Sequence, residues 1–284
     1  MKTAETISQL SKTEAFRKLH EGPGIFVVPN AWDAGSAKML TSLGFKAIAT
    51  TSAGLAFALG KADGEGAVTQ QETLDNARSI VSATSLPVTA DLENGFGDEP
   101  ENCAQTILLA AETGLAGGSI EDSTGRPGDP IYPFDLAVQR VKAAVHAARS
   151  LPFPFMLTAR AENLIHGRPD LKDTIQRLEA FADAGADVLF APGLRTKEEI
   201  ETVVRAVAPR PVNMIMALNN VDFTLDELSD LGVKRVSIGS SLARVAYGAF
   251  FDGAKEMLDK GRFTYANDTI SYAAINALFR KNDQ

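Results

Sequence analysis

The feature that most constrains this chain is an alternation repeated eight times: a short run rich in β-formers, then a longer stretch whose apolar residues recur at three and four. The runs are Ile25–Val28, Ala47–Thr50, Pro87–Ala90, Gly117–Ile120, Phe155–Thr158, Val188–Ala191, Val212–Ile215 and Val236–Ile238. Between them, 69–83, 101–112, 135–149, 171–184 and 197–207 have the period of amphipathic helices. Several of these stretches end on a glycine just before the next run, at Gly44, Gly114, Gly185 and Gly232, where a helix is closed most cheaply by a left-handed residue. Eight strand-then-helix units over about 250 residues fit a (β/α)8 TIM-type barrel better than an open doubly wound sheet. No low-complexity linker divides the chain, so residues 1–284 are expected to form a single barrel domain. Residues 1–22 form a helical lead-in, and 243–284 form C-terminal helices whose apolar surplus requires cover from this subunit or from a second one.

Composition removes several function classes. Lysine and arginine total 28 against 36 acids, for a net charge of −8, and no run of basic residues could track a phosphate backbone, so nucleic-acid binding is not expected. No apolar run approaches the roughly 20 residues of a spanning helix, and the N-terminal residues lack the apolar core of a secretory signal. No membrane association and a cytoplasmic location are the resulting expectations. The single cysteine, Cys103, excludes an internal disulfide and a thiolate cage, so a bound metal would need oxygen or imidazole ligands. Cys103 itself falls on a helix, where a small buried side chain is the expected role.

In such a barrel the chemistry belongs at the C-terminal ends of the strands. The second run leads into Ser52-Ala53-Gly54-Leu55 and then Asp63; the third ends in Asp91-Leu92-Glu93-Asn94-Gly95-Phe96-Gly97; the fourth ends in Glu121-Asp122, and the fifth in Arg160-Ala161-Glu162. If the chain stays extended past the third run, Asp91 and Glu93 point to the same side. Gathered carboxylates repel one another and either take up protons or bind a cation, and a hard divalent ion suits oxygen donors. Asp91, Glu93 and Glu121 are therefore the candidate metal ligands, with turn-and-cap roles as the alternative for the first two. Arg160 presents a planar fork suited to a substrate carboxylate or phosphonate, or it is an ion-pair partner of Glu121 or Glu162. The backbone of Ala53-Gly54-Leu55, with Ser52, could present N–H groups to an anion. Asn213, within the seventh run, points into the barrel toward substrate or serves as a buried structural amide.

Together, Ser52-Ala53-Gly54-Leu55, Asp63, Asp91 to Gly97, Ile120-Glu121-Asp122 and Ala159-Arg160 resemble, in content and order, the isocitrate lyase and phosphoenolpyruvate mutase superfamily. The resemblance runs from Pro29 to Gly239. It implies a (β/α)8 barrel, Mg2+, and a small α-keto or α-hydroxy acid, or a phosphonate relative, handled through an enolate. It also implies a homo-oligomer, dimer or tetramer, with a C-terminal helix exchanged between subunits. By the same resemblance Asp91 matches the principal magnesium ligand, Glu93 and Glu121 match acids acting directly or through water, and Asp63 matches an acid of a gating loop. Ala53, Gly54 and Leu55 match the backbone that cradles the substrate carboxylate, with Asp91 beside them, and Arg160 matches the arginine at the substrate's other end. Asp63, Glu121 and Arg160 are thus the candidate catalytic residues.

The chain also departs from the superfamily pattern. Glu93 stands where aspartate is commoner. The segment Ser123–Pro133 contains no cysteine where the isocitrate and methylisocitrate lyases carry a catalytic one, and Pro192 falls where the phosphonomutases place a histidine. A magnesium-dependent lyase or decarboxylase acting on a small keto or hydroxy (di)carboxylic acid is the leading expectation, because decarboxylation asks least of the 123–133 loop. The alternatives are a phosphonomutase or phosphonate hydrolase of the same superfamily, and a catalytically silent keto-acid binding protein. A Schiff-base aldolase is disfavoured, since Lys61, the nearest lysine, lies in a glycine-rich loop. His166, on the loop after Arg160, is the one histidine placed to reach a substrate.

Overall fold

The computed structural model describes residues 2–217 and 221–280, so residue 1 of the predicted lead-in and residues 281–284 of the predicted C-terminal segment lie outside the described residues. Its strands are β1 (Phe26–Val28), β2 (Asn30–Ala31), β3 (Ile48–Thr50), β4 (Val88–Asp91), β5 (Gly117–Glu121), β6 (Met156–Arg160), β7 (Val188–Phe190), β8 (Val212–Ile215) and β9 (Arg235–Ser237). All pair in parallel, in the order β1-β9-β8-β7-β6-β5-β4-β3-β2. The eight predicted runs are therefore all present, and the ninth strand, Asn30–Ala31, lies beyond the first run on the far side of Pro29. Proline has no N–H to give to the ladder. On one side of it Phe26 pairs with Arg235, and on the other Asn30 pairs with Ala49, whose N–H donates to the Pro29 carbonyl at 2.9 Å.

The two fragments thereby belong to opposite edges of the sheet and bring them together into a barrel. Asn30 fastens this seam: its Oδ1 accepts from the N–H groups of Ile238 and Gly239, both at 3.0 Å, and its Nδ2 donates to the Thr50 carbonyl at 2.6 Å. A buried amide with all three contacts satisfied costs little and fixes one register.

The outer helices are α1 (Lys2–Glu21), α2 (Ala34–Ser42), α3 (Ser52–Ala58), α4 (Gln70–Ala83), α5 (Pro100–Glu112), α6 (Phe134–Ser150), α7 (Leu171–Asp183), α8 (Lys197–Val207), α9 (Leu225–Asp230), α10 (Ser241–Lys260) and α11 (Tyr272–Phe279). The boundaries of α4, α8 and α9 follow from capping boxes, in which Thr69 pairs with Glu72, Thr196 with Glu199 and Thr224 with Glu227. After α7 the chain turns through Gly185 at φ 101°, a conformation a side chain would strain. The main core lies between sheet and helices and includes Ile48, Ile107, Leu157, Phe181 and Ile200, all fully buried.

A smaller cluster closes the barrel's N-terminal end. Phe16 of α1, fully buried, packs there with Val28, Ala47, Ala116, Met156 and Val188. Replacing a side chain so enclosed by alanine typically costs about 3–5 kcal/mol, so the lead-in helix is a plug rather than an ornament. At the other extreme, α10 buries only Ala243 and Gly253 and exposes Val245, Phe250, Phe251 and Leu258, while α11 rests against α2. No helix among the described residues is long and apolar enough to cross a membrane.

Candidate active site

Parallel pairing places the C-terminal ends of β4, β5 and β6 side by side, with Asp91 opposite Ser119 and Glu121 opposite Arg160. Arg160 is the hub. Its Nη1 meets Asp91 Oδ1 at 2.9 Å, its Nη2 meets Glu121 Oε2 at 3.1 Å, and its Nε donates to Glu162 Oε1 at 2.8 Å, while the Phe190 ring lies 5.2 Å from the guanidinium carbon. Burial opposes this charge, but Glu162, Glu121 and Asp91 outweigh it and hold Arg160 well above the usual arginine range. Ion pairing and exposure to a ligand coexist here, because Arg160 also lines two adjoining cavities of ≈230 and ≈690 Å³.

The acids around it outnumber the positive charge. Burial, reinforced by Asp91 and Asp63, pushes the Glu93 carboxyl up to about 7. Burial and Asp91 likewise raise Asp63, and burial takes Glu121 well above the ordinary carboxylate range despite Arg160, with Glu162, Asp91 and Glu93 adding repulsion. One guanidinium therefore faces the five carboxyl groups of Asp63, Asp91, Glu93, Glu121 and Glu162, each electrostatically felt by another of the set. Such a group is short of cationic charge.

The local geometry corrects one expectation and adds detail to a second. Glu93 does not continue the extended strand: its φ is +48°, followed by Gly95 at +80° and Phe96 at +60°, so the chain coils left-handed directly after β4. Asp91 consequently lines the inner cavity and Glu93 the outer one, and the alternation argument for a shared side does not apply. The coil is held from behind by Arg140, fully enclosed on α6. Its guanidinium donates to the carbonyls of Asn94, Gly97 and Asp98 and lies 4.1 Å over the Tyr132 ring. At Gly95 only glycine fits, since an added Cβ would come 2.9 Å from Cys103 Sγ. That contact accounts for Cys103, a buried thiol pushed up to about 11 by its surroundings.

Second, Asp91, Glu93 and Glu121 do not form a ready cage: among the described residues no three acidic, histidine or cysteine side chains are gathered as metal ligands. Asp91 and Glu121 are drawn onto Arg160 instead. The donor set still suits a hard cation on charge, and magnesium, which retains most of its water and takes few direct carboxylates, does not need a complete protein cage.

The other candidates fall as follows. Ser52 donates to Asp91 Oδ2 through both its N–H, at 3.2 Å, and its hydroxyl, at 2.7 Å. Ala53 lines the inner cavity, but the Gly54 N–H is bound by the Thr51 hydroxyl at 3.2 Å and the Leu55 N–H by the Thr51 carbonyl at 3.0 Å. The expected anion cradle thus narrows to Ser52 and Ala53, because capping α3 uses the next two amides. Asp63 lines both cavities. Asn213 faces the inner cavity while its amide is shared between Arg235 and Ser237. In the 123–133 loop, Ser123, Thr124 and Arg126 line the outer cavity with His166, whereas the Tyr132 hydroxyl donates to Asp98 at 2.6 Å, behind the site. Lys61 is paired with Glu72 at 2.6 Å and lines neither cavity.

Two residues of the site go beyond the sequence reading. Glu162, expected only as an ion-pair partner of Arg160, is buried against it. Arg235 precedes the eighth predicted run, and the alternation Arg235-Val236-Ser237 places a cation and a hydroxyl on one face of that strand.

Comparison with known proteins assigns the barrel to a family. The family model described as phosphoenolpyruvate phosphomutase matches residues 16–258. The chain belongs to the phosphoenolpyruvate mutase family. A crystal structure from Burkholderia cenocepacia J2315, of a protein described provisionally as a lyase/mutase, is 54% identical, with a TM-score of 0.93 over 97% of this chain and 98% of that one. The 2-methylisocitrate lyase of Bacillus subtilis (strain 168) is 28% identical over 95% of this chain and 93% of its own length. An oxaloacetate acetylhydrolase solved with its product oxalate is 28% identical, with a TM-score of 0.84 and coverage of 95% and 94%.

Proposed function

We propose that this member of the phosphoenolpyruvate mutase family is a divalent-metal-dependent lyase or decarboxylase that acts on a small α-keto or α-hydroxy acid through an enolate. The observation carrying this reading is the single guanidinium of Arg160 set among five carboxyl groups beside a cavity sized for a few-carbon acid. The named activities of the relatives, 2-methylisocitrate lyase and oxaloacetate acetylhydrolase, support it.

Asp91 and Glu121, with Glu93 through water, would hold the ion, for which Mg2+ is the choice on hardness. When bound, such an ion supplies Lewis-acid polarisation of a keto oxygen. Arg160 carries five N–H donors and uses three on its carboxylates, so its terminal nitrogens can still grip a substrate carboxylate. Ser52, fastened to Asp91, and Ala53 position the other side of the ligand. In the decarboxylation of a keto diacid the bond to the carboxylate β to the keto carbon breaks and CO2 leaves; the bond's electron pair becomes the enolate C=C, the carbonyl π pair moves onto the keto oxygen, and solvent returns one proton. No dedicated acid is required. That suits the 123–133 loop, where the Tyr132 hydroxyl is bound to Asp98 and Arg126, on the wall of the outer cavity, is paired with the same carboxylate.

The test is release of pyruvate or its homologues from a panel of keto and hydroxy acids, with Mg2+ and after chelation. Metal-dependent turnover of one panel member, lost in Asp91→Ala, is expected. No turnover of any, with oxalate bound equally by Asp91→Ala and the parent, overturns the reading; tight metal-dependent oxalate binding without product favours a silent keto-acid binder instead.

We also propose a cytoplasmic enzyme without nucleic-acid or membrane partners, and a homo-oligomer in which a second copy covers the apolar outer face of α10. Mass measurement in solution tests the latter, a monomer being the adverse result.

A further inference from the structure

The inner cavity is lined by Asp91 and Arg160, which end their strands, and by Arg235, which begins its own and which the preceding reading does not use. Arg235 opens β9, is 4% exposed, and pairs in register with Asn213 on one side and Phe26 on the other. Its three contacts are all neutral: Nε donates to Asn213 Oδ1 at 2.8 Å, Nη2 to Thr158 Oγ1 at 2.9 Å, and Nη1 faces His20 Nε2 at 3.4 Å. His20 Nδ1 lies 2.9 Å from the Phe16 carbonyl, which fixes the proton on that nitrogen and leaves Nε2 as the acceptor. Burial and the neighbouring Arg235 hold His20 down at about 3, so no second proton settles there.

Among the described residues no carboxylate compensates this cation, and burial alone draws it down to about 9. A buried charge without a counter-charge is costly, and proteins keep one where a ligand supplies the opposite sign. One N–H on each terminal nitrogen is left over after the three contacts. Asn213 passes its Nδ2 to Ser237 Oγ at 3.0 Å, so that the hydroxyl, also on the cavity wall, keeps its own proton for a further acceptor.

We propose that Arg235 and Ser237, oriented by Asn213, form a second anion-binding subsite inside the barrel that takes the distal carboxylate of the substrate. The inference rests on the small-acid reading above and narrows it: the preferred ligands are dicarboxylates whose two ends are shared between the Arg160 region and Arg235. Monocarboxylates of equal length engage only the first. A charge-assisted contact of this kind corresponds to about 10–100-fold in affinity.

The experiment is calorimetric titration, in Mg2+, of matched pairs: oxaloacetate against 2-oxobutyrate, and succinate against butyrate. The parent chain binds the dicarboxylate about 10–100-fold more tightly, and Arg235→Met removes that ratio while leaving the monocarboxylate affinity within about threefold. Should Arg235→Met fold poorly, Asn213→Asp places a carboxylate beside Arg235 at nearly constant volume and is expected to abolish the preference as well, whereas Arg235→Lys restores part of it. A dicarboxylate preference that survives both Arg235→Met and Asn213→Asp, or equal losses for both members of a pair, overturns the subsite. Because binding is read rather than turnover, an Arg235-dependent preference in a chain that turns over nothing would retain the subsite and reject the lyase. Turnover with an unchanged preference in both variants would do the reverse.

Discussion

Arg160, half-buried, and Arg235, buried, both stand on the inner wall of one barrel, yet they occupy opposite electrostatic settings. Arg160 touches Asp91, Glu121 and Glu162 and is held well above the usual arginine range; Arg235 touches an amide, a hydroxyl and an imidazole and is drawn down to about 9. The difference shows that burial alone does not define the role of a charge. At the mouth the protein has surrounded one cation with excess anion, which leaves room for a further cation. In the depth it has kept one cation without an anion, which leaves room for a further anion. A cavity with these two ends is polarised along its length before any ligand enters.

The largest expected effect breaks this contrast at the mouth. Arg160→Met should lower kcat/KM on the best panel acid by about 10³-fold, since it removes the donor fork nearest the reacting group. It should also destabilise the fold by about 3–5 kcal/mol in urea unfolding, because Glu121 and Glu162 lose their counter-charge in a buried setting. Arg235→Met should cost far less, about 1–2 kcal/mol, because it removes an uncompensated charge and only leaves Asn213 Oδ1 and Thr158 Oγ1 short of a donor. Equal losses of stability in the two variants would show that the two environments do not differ as their partners suggest.

The mouth was legible in the sequence because its residues terminate β runs, and the rule that barrel chemistry sits at strand ends selects Asp91, Glu121 and Arg160 without knowledge of contacts. The helix frame was legible for a similar reason: capping pairs such as Thr196 and Glu199 fix an end from local chemistry alone. What escaped was set by non-local geometry. The left-handed coil at Glu93 depends on Arg140, some 46 residues away, gripping the Asn94 carbonyl from α6. The capture of Asp91 and Glu121 by Arg160 depends on which strands are neighbours. Arg235 was hidden because a cation at the start of a short β run reads as a strand boundary, and only closure of the barrel through the seam at Pro29 shows that β9 faces inward beside β1. The strand beyond Pro29 was likewise a question of which edge each segment meets, although Pro29 itself was in plain view.

A pH titration of stability sharpens the comparison from the deep side. His20 is neutral in the fold, at about 3 against 6.5 for an unperturbed imidazole, so the unfolded chain binds its proton first and stability is lost as pH falls below about 6.5. At pH 5 the expected loss from this group is about 2 kcal/mol relative to neutral pH. His20→Gln should remove that component from the pH profile. Arg235→Met should shrink it, since Arg235 is the second cause of the depression after burial. A profile unchanged by both substitutions would mean that the acid sensitivity belongs to the mouth.

The smallest effect concerns the support of the mouth, and it decides how much of the expected anion cradle exists. Thr51 caps α3 through the Gly54 N–H and is itself buried. Thr51→Ala should cost about 1 kcal/mol, the usual value of an N-cap, and change acid binding less than about twofold, because Ser52 stays fastened to Asp91 by two bonds that do not involve Thr51. If binding instead tightens or weakens about tenfold, the Gly54 amide released by the substitution takes part in holding the ligand, and the cradle extends past Ala53 as the sequence proposed. Binding of a monocarboxylate is the informative readout, since it engages the mouth without Arg235 and so separates the two ends of the cavity.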